Sequence, residues 1–197
     1  MPTNNSCDFQ ILPIANGGTD ASSFSTSNGL VKFDGTRLVS SSAATMDSSS
    51  RITNTAQPCF SSYKSSSTAN VTGNGAVYNY ICDTIIMNQG SGYNNSTGIF
   101  TAPVAGNYFF YTSVMFTSAT TATTGYLLIT PSSGFQISYT DGWSGTSAQI
   151  GMNVSGIISL AANATVKPQV ELTGMAGNTA TIGLYSGYTA FSGYLIC

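Results

Sequence analysis

The side chains that could perform acid–base or nucleophilic chemistry are few in this chain, and they form no catalytic pattern. The sequence contains no histidine, and its seven carboxylates show no paired spacing. General acid–base catalysis and covalent catalysis both need a proton-transfer group placed beside the reacting atoms. Phosphate-binding loops and nucleophile elbows are also absent from the sequence. The sequence therefore predicts a protein that is not an enzyme.

The four cysteines lack the spacing of a metal site. Cys7, Cys59, Cys82 and Cys197 form no Cys-x-x-Cys pair, and no histidine is available to join them. Zinc takes its ligands mainly from cysteine and histidine, usually at short spacings. We predict free thiols, no metal and no other cofactor.

Binding, in contrast, has candidate residues in segments rich in glycine and serine. Trp143 is the only tryptophan and is flanked by glycine and serine, Asp141 lies in the same loop, and Tyr93 follows Gly90-Ser91-Gly92. Small neighbours would expose these rings, and exposed aromatic side chains are favoured anchors for partners. We predict Tyr93, Asp141 and Trp143 as ligand-binding loop residues. The alternative for Trp143 is that it folds back over the end of the domain. One carboxylate per subunit is few for calcium, which takes roughly six to eight oxygen ligands, although three copies near a shared axis could suffice. The alternative for Asp141 is a solvated turn aspartate.

The low charge content excludes two classes of partner. Charged residues make up 6% of the chain, the net charge is −2, and the five basic residues form no run. Nucleic-acid binding and electrostatic membrane binding both depend on clustered lysine and arginine. The chain has no apolar stretch of the roughly 20 residues that a membrane helix needs, and its first residues lack a signal-peptide pattern. We predict no nucleic-acid partner and no membrane insertion.

Residues 1–56 differ in composition from the rest of the chain. They contain few aromatic residues, long runs of small polar residues and closely spaced turn signals. The turn pairs Asn28-Gly29 and Asp34-Gly35 delimit an apolar run and predict a small hairpin over residues 30–39. Such a segment is too poor in apolar residues for a core of its own. We predict an extended N-terminal attachment arm or stalk.

Residues 57–197 are predicted to be all-β, because short apolar runs alternate with turn residues and no window shows helical spacing. Pro168 cannot donate a hydrogen bond to a ladder, so its strand is predicted to lie at an edge or to carry a bulge. The predicted strands are Cys59–Tyr63, Val77–Asp83, Gly98–Thr101, Asn107–Phe116, Tyr126–Thr130, Phe135–Tyr139, Gln149–Leu160, Thr165–Leu172, Thr181–Tyr185 and Ala190–Cys197.

One predicted strand is apolar on both of its faces. Side chains alternate along a strand, so Tyr108 and Phe110 point to one side while Phe109 and Tyr111 point to the other. A two-layer sandwich buries only one face of each strand. The second apolar face needs another surface, and a further copy of the same chain is the simplest candidate.

Two blocks of the sequence resemble the C1q side of the C1q/TNF-like superfamily. The first runs from Thr97 to Phe110 and resembles the family pattern Thr-Gly-x-Phe-Thr-x-Pro-x-x-Gly-x-Tyr-x-Phe. The second, from Phe191 to Ile196, resembles its closing Phe-Ser-Gly-Tyr-Leu. The resemblance implies an all-β, ten-strand jelly-roll sandwich over residues 57–197 that forms a homotrimer. The trimer-interface residues predicted on this basis are Tyr108, Phe109, Phe110, Tyr111, Phe191, Tyr194 and Ile196.

The N-terminal segment is similar to the Gly-Gly-Thr-rich stretches of bacteriophage and large-virus fibre proteins, on Asn16 to Phe24 and Asp34 to Leu38. Together the two resemblances predict a trimeric virion protein whose head attaches to a host-surface glycan or protein. Its location would be the virion surface or tail, or otherwise the extracellular space without a signal peptide. A structural capsid or tail decoration protein without a receptor is the first alternative, and a cytokine-like ligand is the second.

Overall fold

A computed structural model describes residues 28–142, 149–183 and 187–197, and within these ranges the chain contains strands and loops but no helix. The chain divides into two compact units, Met1–Ala56 and Gln57–Cys197.

The described part of the first unit is one antiparallel sheet in the order β1-β2-β3. Its strands are β1 (Gly29–Phe33), β2 (Leu38–Met46) and β3 (Ile52–Asn54). An aspartate organises each turn: the carboxylate of Asp34 accepts the backbone N–H groups of Thr36 and Arg37, both at 2.9 Å. Asp47 accepts the backbone N–H of Arg51 at 3.0 Å and its Nε at 2.6 Å. The predicted hairpin over residues 30–39 is therefore present, and it continues into a third strand.

The second unit is a sandwich of two sheets. The sheet named here the β9 sheet has the order β12-β9-β15-β4-β6, with β14 also paired to β9; the β10 sheet has the order β11-β10-β13-β8-β7, with β5 paired to β13. The strands are β4 (Cys59–Tyr63), β5 (Val77–Asn79), β6 (Thr84–Gln89), β7 (Tyr93–Asn94), β8 (Ile99–Thr101), β9 (Gly106–Thr117), β10 (Thr124–Pro131), β11 (Ile137–Gly142), β12 (Gln149–Leu160), β13 (Thr165–Thr173), β14 (Thr181–Ile182) and β15 (Ala190–Leu195).

The core between the two sheets is built largely from aromatic side chains. Phe100 of the β10 sheet lies 5.4 Å from Tyr108 and 5.5 Å from Phe110, measured between ring centroids. Phe60 stacks on Phe100 at 5.0 Å, and Phe191 lies 4.9 Å from Phe60. These five rings are almost fully buried. The sequence blocks that carry the family resemblance therefore build the core of the sandwich.

The strand predicted as Val77–Asp83 ends at Asn79, because the chain there crosses from one sheet to the other. Tyr80 and Cys82 are buried on this crossing, and the Tyr80 hydroxyl forms a hydrogen bond with Thr112 of β9. The chain then enters β6, which is not among the predicted strands.

Pro168 lies neither at a sheet edge nor in a bulge, so that prediction was wrong. It pairs with Ile129 of β10 inside the sheet. On the other side of β13, the partner changes from β8, opposite Thr165 and Val166, to β5, opposite Gln169 to Glu171. Pro168 falls in the gap between these partners, where its missing N–H is not needed for a ladder.

Candidate self-association surface

The alternation along β9 separates its core side chains from its surface side chains. Tyr108 and Phe110 are completely buried between the two sheets, and so is Phe191 of the neighbouring strand β15. The predicted interface role of these three residues was wrong, because their rings fill the core of a single subunit. Phe109 and Tyr111 project from the opposite face, so the interface prediction remains open for them.

The outer face of the β9 sheet carries an uncovered row of apolar side chains across three strands. Ile157 of β12 pairs with Phe109 of β9, which pairs in turn with Tyr194 of β15. Ile157 is 62% exposed and Tyr194 is 49% exposed. The rings of Phe109 and Tyr194 lie 5.3 Å apart between centroids. Tyr111, one pleat further along β9, is 37% exposed. We call these four residues the apolar row.

Ile157 was not among the predicted interface residues, although the sequence carries a signal for it. Ile157 and Ile158 are adjacent in one strand, so one of the two must point away from the core. Ile158 is buried, which leaves Ile157 on the surface. Ile196, which was predicted, is exposed just beyond β15, where its backbone N–H donates to the carbonyl of Asn107 at 2.8 Å.

No charged side chain projects from this face on strands β12, β9 and β15. The outward positions around the apolar row hold serine, asparagine, glutamine, threonine, alanine, methionine and glycine. Towards the other end of β9 the face opens into a cleft of about 340 Å³, whose lining includes Tyr111, Ser113, Met115, Asn153 and Tyr188. An uncharged apolar surface is suited to contact with an identical, equally uncharged chain, because no like charges are brought together.

The edge strand β6 of the same sheet is a second uncovered apolar patch. Ile85, Ile86 and Met87 are 38%, 67% and 46% exposed. The pairing of β6 with β4 shifts between Ser61 and Ser62, which is a bulge. A bulge interrupts the regular ladder and discourages indefinite addition of further strands at an edge. We call Ile85, Ile86 and Met87 the β6 patch. It is suited to contact with a partner through packed side chains more than through an added strand.

Of the three predicted ligand-binding residues, Tyr93 alone has a side chain that the structure describes. Tyr93 is buried, its hydroxyl donates to the Cys82 carbonyl at 2.9 Å, and its ring stacks on Phe60 at 4.8 Å. The prediction for Tyr93 was therefore wrong. Asp141 lies in β11, paired with Gly125, and not in a loop. Trp143 lies outside the described residues. Phe135, which the sequence predicts to begin a strand, lies between β10 and β11 with 85% of its side chain exposed.

The cysteines and carboxylates of the described residues form neither a disulfide nor a cluster of metal ligands. Cys59, Cys82 and Cys197 are unbridged, and no cluster of three potential metal ligands occurs in the described ranges. Burial raises the pKa of the Cys82 thiol to about 12, so the nucleophilic thiolate is scarce at neutral pH. The described part of the chain also has no helix that is long and apolar enough to span a membrane.

Comparisons with known proteins agree with this architecture. The family model of the C1q domain matches residues 62–196. Among solved structures, murine APRIL at pH 5.0 aligns with a TM-score of 0.51 at 13% identity, covering 71% of this chain and 99% of that one. The globular domain of zebrafish complement 1qA aligns with a TM-score of 0.49 at 17% identity, covering 71% and 98%. No curated protein matches the chain. The predicted all-β jelly-roll sandwich is confirmed.

Proposed function

Because this chain belongs to the C1q domain family, we propose that residues 57–197 form the head of a homotrimer. Domains of the C1q/TNF-like class are typically non-enzymatic binding modules, and they commonly form homotrimers. The observation that carries the proposal is the apolar row on the outer face of the β9 sheet. A second subunit would remove this uncharged surface from water, and burial of apolar area is the main favourable term in most protein association.

A closed ring of three needs two different patches on each subunit, because the contact between neighbours is heterologous. The β9 sheet offers the apolar row on its face and the β6 patch at its edge. We assign the apolar row of one subunit to contact with the β6 patch of the next. Repetition of this contact around a threefold axis would cover all six patches of the trimer.

The head is further proposed to mediate attachment of a virion fibre to a host-surface glycan or protein, with residues 1–56 as the attachment arm. Support comes from the similarity of the N-terminal segment to viral fibre proteins. A trimer also presents three copies of any binding site, and linkage of weak sites raises the overall affinity. Trp143 and Asp141 remain the sequence candidates for contact with the ligand, and the exposed ring of Phe135 joins them.

A structural role as a capsid or tail decoration without a receptor is the second candidate. The burial of Tyr93 favours it, because one of the two predicted aromatic anchors belongs to the core. In this role the trimer would stabilise the particle, and the loops of the head would contact no host molecule.

A binding assay on the trimeric full-length chain separates these two functions. The native chain, Trp143→Ala and Phe135→Ala are applied to a glycan array and to host cells. The matched control is Val77→Ala, which removes a half-exposed apolar side chain from β5. Saturable binding that Trp143→Ala or Phe135→Ala weakens at least tenfold, and that Val77→Ala retains, supports attachment. Absence of binding by a native chain that incorporates firmly into particles rejects attachment and supports the structural role.

A further inference from the structure

The cleft on the outer face of the β9 sheet is formed where neighbouring strands present small side chains. Asn153 of β12 pairs with Ser113 of β9, which pairs in turn with Ala190 of β15, and Gly151 pairs with Met115 one pleat further along. Directly paired residues project to the same side of a sheet. The small residues among them leave a depression of about 340 Å³ between larger neighbours.

Two tyrosine side chains line this cleft. Tyr111 lies one pleat from Ser113 on the side of the apolar row, to which it also belongs, and Tyr188 lies on the other side, two residues before Ala190. The Ser113 hydroxyl donates to the backbone carbonyl of Tyr188 at 3.1 Å, so the segment before β15 is held against β9. The Tyr188 side chain is 58% exposed and is therefore accessible to a ligand.

The rest of the lining is polar but without charge. Asn153 is exposed, and its amide group can both donate and accept hydrogen bonds, as can the Ser113 hydroxyl. None of the described residues that line the cleft is charged, so an ionic ligand would lose its hydration there without gaining a countercharge. The volume lies at the lower end of the roughly 300–1,000 Å³ typical of small-ligand sites.

These properties match one class of ligand. A sugar ring has an apolar C–H face that packs on aromatic rings, and a rim of hydroxyl groups that donate and accept hydrogen bonds. We propose that the cleft binds a neutral sugar unit of a glycan. Tyr111 and Tyr188 pack against the apolar face of its ring, while Asn153 and Ser113 form hydrogen bonds with its hydroxyl groups.

The inference rests on the proposed attachment function and gives its glycan a site other than the loop candidates. The β6 patch of a neighbouring subunit is a poorer occupant of the cleft. Its side chains are apolar and would leave Asn153 and Ser113 buried without a new hydrogen-bond partner, which is costly.

Substitutions that fill or strip the cleft test this site in the full-length chain. Gly151→Val fills open space, because a Cβ at this position would meet only Cε of Met115, at 3.7 Å, and Asn153→Ala removes the amide group. The matched controls are Ser159→Val and Ser159→Ala, since Ser159 is exposed on the same face of the same strand but does not line the cleft. Circular dichroism and sedimentation equilibrium report the fold and the oligomeric state of each variant.

The probes are a glycan array of neutral oligosaccharides, built from hexoses and N-acetylhexosamines, and their sialylated and sulfated forms. Titration calorimetry then measures the dissociation constant of the neutral oligosaccharide that binds best. The expected result is that Gly151→Val and Asn153→Ala each raise this constant at least tenfold, whereas both Ser159 variants leave it unchanged. If Gly151→Val alters the fold or the oligomeric state, Asn153→Ala alone decides.

Neutral-glycan binding that the cleft variants retain, or that a Ser159 variant weakens equally, overturns the inference and leaves the attachment function standing. Binding to charged glycans alone, or to host cells without any neutral glycan, has the same consequence. A trimer that Gly151→Val weakens, in a chain that binds no neutral glycan, overturns the inference because the next subunit then fills the cleft. A native chain that binds neither glycans nor host cells overturns this inference and the attachment function together.

Discussion

Replacement of Ile157 by serine tests the apolar row most directly. Complete burial of an isoleucine side chain stabilises by roughly 1.5–3 kcal/mol, and 62% of Ile157 is exposed in the isolated subunit. Burial of the exposed part by a neighbour should therefore contribute about 1–2 kcal/mol per subunit. Each trimer carries the substitution three times, so the loss is about 3–6 kcal/mol. Since about 1.4 kcal/mol corresponds to a factor of ten, the trimer dissociation constant should rise about 10²- to 10⁴-fold.

Sedimentation equilibrium over a range of concentrations measures this constant for the full-length chain. Val77→Ser is the matched control, because Val77 is a 52% exposed apolar residue on β5 of the other sheet. Circular dichroism of the dissociated Ile157→Ser subunit establishes that it is still folded. An unchanged constant for Ile157→Ser, or an equal change for Val77→Ser, would refute the assignment of the apolar row. A native chain that remains monomeric at micromolar concentration would refute the trimer itself.

Three further predictions concern the sandwich. Gly193→Ala should lower the free energy of unfolding by about 1–3 kcal/mol, because the added Cβ would lie 2.6 Å from Cδ1 of Phe110; a urea midpoint equal to that of the native chain would contradict it. Thiol reagents at pH 8 should label the exposed Cys197 in the folded chain but should reach the buried Cys82 only after unfolding. A thiol with a pKa of about 12 is ionised at this pH in roughly one molecule in 10⁴. Equal labelling rates for the two cysteines would contradict this prediction, because they would show that the segment around Cys82 opens readily. Burial also raises the pKa of Tyr93 to about 12, so the folded state holds the protons of Cys82 and Tyr93 more tightly than the unfolded state does. Their contribution to stability is complete below the unfolded pKa values of about 8.5 to 10 and is lost as the pH rises towards 12. The urea midpoint should therefore be lower at pH 10.5 than at pH 8. A higher midpoint at pH 10.5 would contradict the predicted direction of this pH dependence.

The regular parts of the fold could be predicted from the sequence because local patterns determine them. Cys59–Tyr63 and Gln149–Leu160 have the predicted boundaries, since apolar and polar residues alternate along them between clear turn signals. β6 was missed because the stretch from Val77 to Met87 contains no glycine or proline, although the chain changes sheet within it. A change of sheet depends on which strands lie on either side, and a single run of sequence does not contain that information.

The site was harder to predict than the fold, because alternation gives two faces without saying which one meets the second sheet. Both faces of the strand around Phe109 are aromatic, and only the packing of Phe100 against Tyr108 and Phe110 identifies the core side. Tyr93 shows a related error. A Cβ on the preceding Gly92 would lie 2.6 Å from the ring of Phe100, so this glycine permits close packing of the core and does not expose its neighbour.

The distribution of charge bears on how the second unit associates. A protein with 6% charged residues has little electrostatic protection against nonspecific association. In the described part of the first unit, four charged residues form ion pairs in the turns, Arg37 with Asp34 and Arg51 with Asp47. In the second unit, strands β12, β9 and β15 present no charge on their outer face. Exposed apolar surface of this kind is a liability in a monomer, whereas the proposed ring of three would cover the same surface in a finite assembly. The same absence of charge that would make a single subunit prone to aggregate thus favours a closed trimer.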